Sequence, residues 1–189
     1  RILYGMYFAL TAVEIVLLLF GGMSPFDSII HAFSTAGTGG FSNYANSIGQ
    51  LDSAYIDGVI TVFMILFGIN FNLFYLLLLR QFKPVWKNEE LRTYLAIIAT
   101  AIALITWNIT SIYGNPLKAF RYAAFQVASI ITTTGFSTAD YMKWPTMSQT
   151  IIIILMIIGA CASSTGGGIK VSRFLIVVKS IKKELKQMV

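Results

Sequence analysis

The chain has one cysteine, Cys161, one histidine, His31, and charge on only 12% of its 189 residues. A single cysteine excludes an internal disulfide and argues against a secreted scaffold stapled by such bonds; Cys161 is read as a small buried apolar residue. His31 has no companions at metal-ligand spacing, so a packing or hydrogen-bonding role is expected of it. The sequence shows no Ser/His/Asp arrangement, no paired carboxylates and no cluster of metal ligands. Neither an enzyme nor a bound cofactor is expected. Soluble domains carry charge on about 25% of residues, roughly twice the share seen here. With 56% hydrophobic residues and a mean hydropathy of +0.73, the composition is that of an integral membrane protein. The chain begins at Arg1 with neither an initiator methionine nor a signal-peptide layout, and is expected to be a piece of a longer protein.

The net charge of +6 raises the question of nucleic acid, and position answers it. Basic residues gather at Arg80, Lys83, Lys87 and Arg92, and again at Lys170, Arg173, Lys179, Lys182, Lys183 and Lys186. Both groups flank apolar spans, as cytoplasmic ends do under the positive-inside rule. Membrane lipid, not nucleic acid, is the expected surrounding.

Four apolar spans are expected, at about 4–22, 54–79, 93–113 and 147–178. A crossing helix needs about 20 such residues. The first three fit plain crossings; the fourth is too long and is interrupted by Gly166-Gly167-Gly168. Between spans one and two, Pro25–Phe33 is apolar enough for a helix but too short to cross; Pro116–Ser129 has the same character between spans three and four. Proline suits the first helical turn. With Arg1 inside, each short helix dips in from outside, and 11 of the 14 basic residues fall on the cytoplasmic side, the exceptions being Lys118, Arg121 and Lys143. The expected fold is all-α and membrane-embedded, a tandem of membrane helix, pore helix, filter loop and membrane helix, with repeats at 1–92 and 93–189. Gly68 and Gly159, each following a similar apolar run, reinforce the repeat.

Each short helix runs into a Gly-Phe-Ser triplet. The first stretch reads Ser34-Thr35-Ala36-Gly37-Thr38-Gly39-Gly40-Phe41-Ser42; the second reads Ile131-Thr132-Thr133-Thr134-Gly135-Phe136-Ser137, its glycine 95 positions after Gly40. Non-helical backbone at membrane depth is tolerated only where protein or a water-filled path surrounds it. A monovalent cation sheds its water only where closely spaced oxygens replace it, and backbone carbonyls do this in known filters. Glycine supplies the positive φ that turns carbonyls to a common axis. The candidate filter residues are therefore Thr38, Gly39, Gly40 and Phe41 with Thr133, Thr134, Gly135 and Phe136, the ion being held by the carbonyls of Thr38, Gly39, Thr133 and Thr134. Gly40 is aligned with Gly135, and Gly39 is the competing choice. The short helices aim their C-terminal ends, partly negative, at the ion. The alternative to a filter is a close helix contact, where small residues also gather.

Ala162-Ser163-Ser164-Thr165-Gly166-Gly167-Gly168-Ile169-Lys170 is the third unusual stretch. Three successive glycines hold a helix poorly, at about 1 kcal/mol each against alanine. A loop below a filter that blocks and then clears the path is the expected gate, and its candidate residues are Gly159, Ser163, Ser164, Thr165, Gly166, Gly167, Gly168 and Lys170. A phosphate-binding loop is the weaker reading, since the spacing is not that of a P-loop. Asn70, Asn72 and Asn108 are expected to bond between helices. Glu14, a charge within span one, is a functional hint, or else sits near a helix end or pairs with a residue outside this chain. Trp86, Trp107 and Trp144 fit interfacial anchoring.

Residues 132–140 and 159–171 resemble the third repeat, and residues 34–42 with Phe67-Gly68-Ile69-Asn70-Phe71 the second repeat, of the Trk/Ktr/HKT potassium transporter superfamily, in its TrkH/TrkG branch. The resemblance covers essentially the whole chain. It implies four pore-loop repeats around one pore, a signature glycine in each filter strand, and an intramembrane gating loop in the third repeat. It implies K⁺ as the transported ion, a homodimer, a cytoplasmic ring of nucleotide-binding, TrkA-like regulatory subunits, and a place as a multi-pass protein of the inner or plasma membrane. Repeats one and four are absent here, and two repeats alone do not close a fourfold pore. The other class considered is a secondary transporter with broken helices, which would aim half-helix N-termini at a midplane substrate.

Overall fold

The computed structural model describes residues 2–188; Arg1, which anchors the expected topology, lies outside the described residues. Among these residues the chain is helical and without strands, with α1 at Ile2–Phe20, α2 at Pro25–Ala36, α3 at Ala54–Phe67, α4 at Phe71–Leu78, α5 at Phe82–Lys87, α6 at Glu89–Tyr113, α7 at Pro116–Ile131, α8 at Thr146–Ile157 and α9 at Val171–Met188.

Local chemistry sets the short helices. Ser24 caps α2 by accepting from the Asp27 amide, and Asn115 caps α7 by accepting from the Leu117 amide, with Pro25 and Pro116 in the first turns. The long α6 stops at Gly114, whose φ of +63° is open to glycine. Helix α7 then folds back along α6, Ala119, Ala123, Val127 and Ile131 packing on Tyr94, Ile98, Ile105 and Ile109. The small alanines allow the two backbones to approach.

Helices α1 and α6 are each long and apolar enough to cross a membrane. The second span departs from the plain crossing expected over 54–79: α3 and α4 meet at 93° across residues 68–70. The cause is a redirected hydrogen-bond ladder. The Phe67 carbonyl accepts from the Thr165 amide (3.4 Å) and hydroxyl (3.2 Å), the Gly68 carbonyl from the Cys161 amide (3.0 Å), and the Phe71 amide donates to the Ser163 carbonyl (3.2 Å). Asn70 caps α4 by accepting from the Asn72 amide; among the described residues neither asparagine side chain forms the interhelical bond expected of it. Asn108 does, accepting from the Ser148 hydroxyl on α8 at 2.7 Å. The fourth span is broken as expected, with residues 158–170 non-helical between α8 and α9.

A Cβ at Gly68 would run into the Tyr94 hydroxyl and lie 2.9 Å from the Thr132 methyl. Gly68→Ala is expected to destabilise the detergent-solubilised protein by about 1–3 kcal/mol through overpacking, and Tyr94→Phe in the same chain to restore part of the loss. Melting curves read both, and an unchanged midpoint in the single variant would contradict the close approach.

The two basic groups approach one another at one end of the bundle, where Lys179 on α9 pairs with Glu89 at the start of α6. At the opposite end the Gly49 amide donates to the Ser137 carbonyl (3.1 Å). Arg121, an exception to the inside bias, is bound there by Asp57 (2.7 Å) and Asp52 (3.1 Å).

Candidate functional site

Helices α2 and α7 end alike, residue for residue at an offset of 95. The Thr38 amide donates to the Thr35 carbonyl (3.1 Å) and the Gly39 amide to Ser34 (2.8 Å); the Thr133 amide donates to Ile130 (3.0 Å) and the Thr134 amide to Ser129 (2.9 Å). This is the paired 5→2 and 6→1 bonding of a Schellman turn, whose left-handed position is normally glycine. Here threonine occupies it twice, Thr38 at φ +49° and Thr133 at φ +58°. A β-branched residue in that region is strained and persists only where its surroundings hold it. Two residues on, Gly40 (φ +67°) and Gly135 (φ +91°) are left-handed again, whereas Gly39 is not.

The two turns meet. A Cβ at Gly40 would overlap the Thr134 carbonyl oxygen, whereas a Cβ at Gly135 would meet nothing within 4 Å. The phenylalanines that follow differ: Phe136 is 1% exposed, its ring 5.9 Å from that of His31, and Phe41 is 77% exposed.

The glycine-rich loop packs directly against both turns. The Thr38 hydroxyl donates to the Thr165 carbonyl (3.1 Å), the Gly167 amide donates to the Thr133 hydroxyl (2.6 Å), and buried Gly166 leaves a Cβ only 3.0 Å from the Thr132 carbonyl. Gly159 forms the neck of the loop: its amide donates to Ile169 (2.8 Å), the Ile169 amide to Ile157 (3.3 Å) and the Val171 amide to Ala160 (3.2 Å). A Cβ at Gly159 would overlap the Gly167 carbonyl, and Gly168 needs φ +73°. Ser163 adopts φ +54°, the Ser164 hydroxyl donates to Cys161 (2.6 Å), and the Lys170 ammonium donates to the Gly166 carbonyl.

Some residues of this assembly carry no sequence-level assignment. The Ser129 hydroxyl donates to the Phe136 carbonyl (2.6 Å) and accepts from the Gly135 amide (3.1 Å), and Gln126 holds the segment beyond by donating to Ser137 and Ala139. The 95-residue spacing that joins Ser34 to Ser129 was the available signal. His31 has the bonding role expected: Nδ1 lies 2.7 Å from the Asp27 carbonyl, so it donates there, and Nε2 accepts from the Ser42 hydroxyl (2.9 Å). Glu14 is fully buried in α1, and neither carboxylate oxygen has a hydrogen-bond partner among the described residues.

Asp27, at the mouth of the first turn, accepts from the Tyr44 hydroxyl (2.8 Å) and from Asn43. The Tyr44 bond first, with Ser24 and Asn43 adding to it, holds its carboxyl below the usual aspartate range. A carboxyl lowered in the folded state contributes stability above its unfolded value of about 3.9, lost as pH falls through the folded value. Asp27→Asn is therefore expected to lower the melting temperature at neutral pH and flatten its fall on acidification. A parallel shift at every pH would contradict this role.

A family profile described as "TrkH: Cation transport protein" matches residues 1–188. The Trk system potassium uptake protein TrkH of Salmonella typhimurium is 37% identical over 193 residues, covering 100% of this chain and 40% of that protein. The Trk system potassium uptake protein TrkG of Escherichia coli is 35% identical, covering 100% of this chain and 39% of that protein. The crystal structure of the potassium transporter TrkH from Vibrio parahaemolyticus superposes with a TM-score of 0.93 at 35% identity, covering 98% of this chain and 41% of that one. The chain thus spans about 40% of the length of the curated relatives it matches. With the profile running from the first residue to the last but one and the backbone following TrkH throughout, the chain belongs to the TrkH family of cation transport proteins.

Proposed function

We propose that this chain supplies two pore-loop repeats, residues 1–92 and 93–189, of a potassium uptake protein of the inner or plasma membrane. The carbonyls of Thr38, Gly39, Thr133 and Thr134 stand in for the water that K⁺ sheds, and the loop from Gly159 to Lys170 gates the path beneath them. One observation carries the reading: left-handed residues recur at alternate positions, 38 and 40 in one turn and 133 and 135 in the other. Alternating the sign of φ turns successive peptide planes toward one side, which is what a ring of coordinating carbonyls requires. The strained threonines support it, because such strain clusters at functional sites. The C-terminal ends of α2 and α7 lead into the turns, so their partial negative charge favours a cation. A broken-helix secondary transporter for an anionic substrate would aim N-termini instead.

Two further repeats of the same protein complete the ring, and exposed Phe41 takes against the preceding one the place that Phe136 takes against His31. A homodimer and a TrkA-like, nucleotide-binding ring docked on the basic cytoplasmic face are part of this reading, and the match to the TrkH family supports them. Uptake of ⁸⁶Rb⁺ into vesicles carrying the full-length protein tests the reading, with Gly135→Ser alongside. The variant is expected to lose discrimination against Na⁺; unchanged permeation and selectivity would remove Gly135 from the filter.

A further inference from the structure

The glycine-rich loop is tied to the two turns above it and to the bend at Gly68, and its neck is closed by backbone bonds. One further tie comes from a side chain outside the loop. Glu90, in the first turn of α6, places Oε1 2.6 Å from the Ala162 amide and 3.2 Å from the Ser172 amide. These two donors belong to different arms. Ala162 lies on the arm descending from α8, and Ser172 is in the first turn of α9.

Among the described residues, neither amide has a main-chain partner of its own. Ser172 is among the first residues of an 18-residue helix, whose leading N–H groups have no intrahelical acceptor. Ala162 lies beyond the neck, where the ladder between the two arms has stopped. A carboxylate oxygen accepting from both forms two charge-assisted bonds and meets the positive end of the α9 dipole. Its position is fixed in turn: Asn88 caps α6 by accepting from the Leu91 amide, and neighbouring Glu89 pairs with Lys179 on α9. Glu90 therefore joins α6, which is not part of the loop, to both sides of the loop's base.

We propose that Glu90 is a positioning residue that latches the glycine-rich loop in its blocking position by bridging Ala162 and Ser172. The proposal rests on the gate reading of that loop. Any movement of the loop away from the turns swings its arms relative to α6 and parts one or both bonds. The carboxylate thus biases the equilibrium toward the blocked state without touching the ion.

The test is ⁸⁶Rb⁺ flux through the full-length protein in vesicles, without regulatory subunits, for wild type, Glu90→Ala, Glu90→Gln and a deletion of Gly166–Gly168. Glu90→Ala is expected to raise basal flux about tenfold, the shift that 1.4 kcal/mol produces, with the Rb⁺/Na⁺ ratio unchanged. Glu90→Gln, which keeps an acceptor without the charge, is expected to fall between. A merely structural role would lower folded protein and flux together, so flux is normalised to folded protein by size-exclusion chromatography. Should the deletion raise flux while both Glu90 variants match wild type, the latch is wrong and the gate stands. Should the deletion also leave flux unchanged, the gate reading fails and the latch with it. A change confined to the Rb⁺/Na⁺ ratio in Glu90→Ala would likewise overturn the latch.

Discussion

Gly40→Ala in the full-length protein is expected to depress ⁸⁶Rb⁺ uptake and Rb⁺/Na⁺ discrimination about tenfold more than Gly135→Ala, a gap equivalent to about 1.4 kcal/mol. Both glycines are left-handed, Gly40 at φ +67° and Gly135 at φ +91°. Any L-residue there costs roughly 1–2 kcal/mol in backbone strain. The surroundings then separate them. A methyl at Gly135 enters open space, whereas one at Gly40 overlaps the carbonyl oxygen of Thr134. On the proposed reading that oxygen coordinates the ion, so the Gly40 substitution displaces a ligand supplied by the other repeat. Equal effects of the two alanines on purified, correctly assembled protein would show that the contact between the turns carries nothing.

Deleting Gly166–Gly168 is expected to raise basal ⁸⁶Rb⁺ flux by about tenfold or more while leaving the Rb⁺/Na⁺ ratio intact. The deletion removes the Gly167 amide that donates to the Thr133 hydroxyl and the Gly166 carbonyl that receives Lys170. It also shortens a loop whose neck is fixed at Gly159 and Val171. Each hydrogen bond lost contributes about 0.5–1.5 kcal/mol, more where one partner is charged, so on the proposed gate reading the blocked arrangement loses enough to shift the equilibrium by that factor. The carbonyls of the proposed filter keep the support of α2 and α7, which is why selectivity is expected to survive. A pure selectivity change, with flux for Rb⁺ unaltered, would contradict the gate assignment.

Features encoded locally were legible in the sequence. Pro25 and Pro116 marked the starts of α2 and α7, and Ser24 and Asn115 are the caps found there. The 95-residue spacing predicted two similar turns, and the backbone pairs Thr38 with Thr133 by hydrogen bonding and by φ, and Gly40 with Gly135 by φ. The Phe-Ser pair that follows aligned Gly40 with Gly135 and left Gly39 as the competing choice; the dihedral angles separate the two adjacent glycines. The interruption of the fourth span was visible because three glycines lie together.

Features set by distant partners were hidden. The run from Ala54 to Leu79 is apolar enough to read as one span, and its 93° bend exists because Phe67 and Gly68 give their carbonyls to residues almost a hundred positions later. Asn70 was the local clue, a helix-capping residue two positions after a glycine. Nothing in the polar stretch Asn88-Glu89-Glu90 announced that one carboxylate would reach Ala162 and Ser172. The contrast between Phe41 and Phe136, identical in local sequence, likewise depends on which neighbour each ring meets.

Anomalous diffraction from crystals of the full-length protein grown with Tl⁺ in place of K⁺ tests the central claim most directly. The account predicts Tl⁺ peaks on the axis shared by the two turns, in contact with the main-chain oxygens of Thr38, Gly39, Thr133 and Thr134. Peaks held by side chains elsewhere, or a bare axis between the turns at saturating Tl⁺, would contradict it.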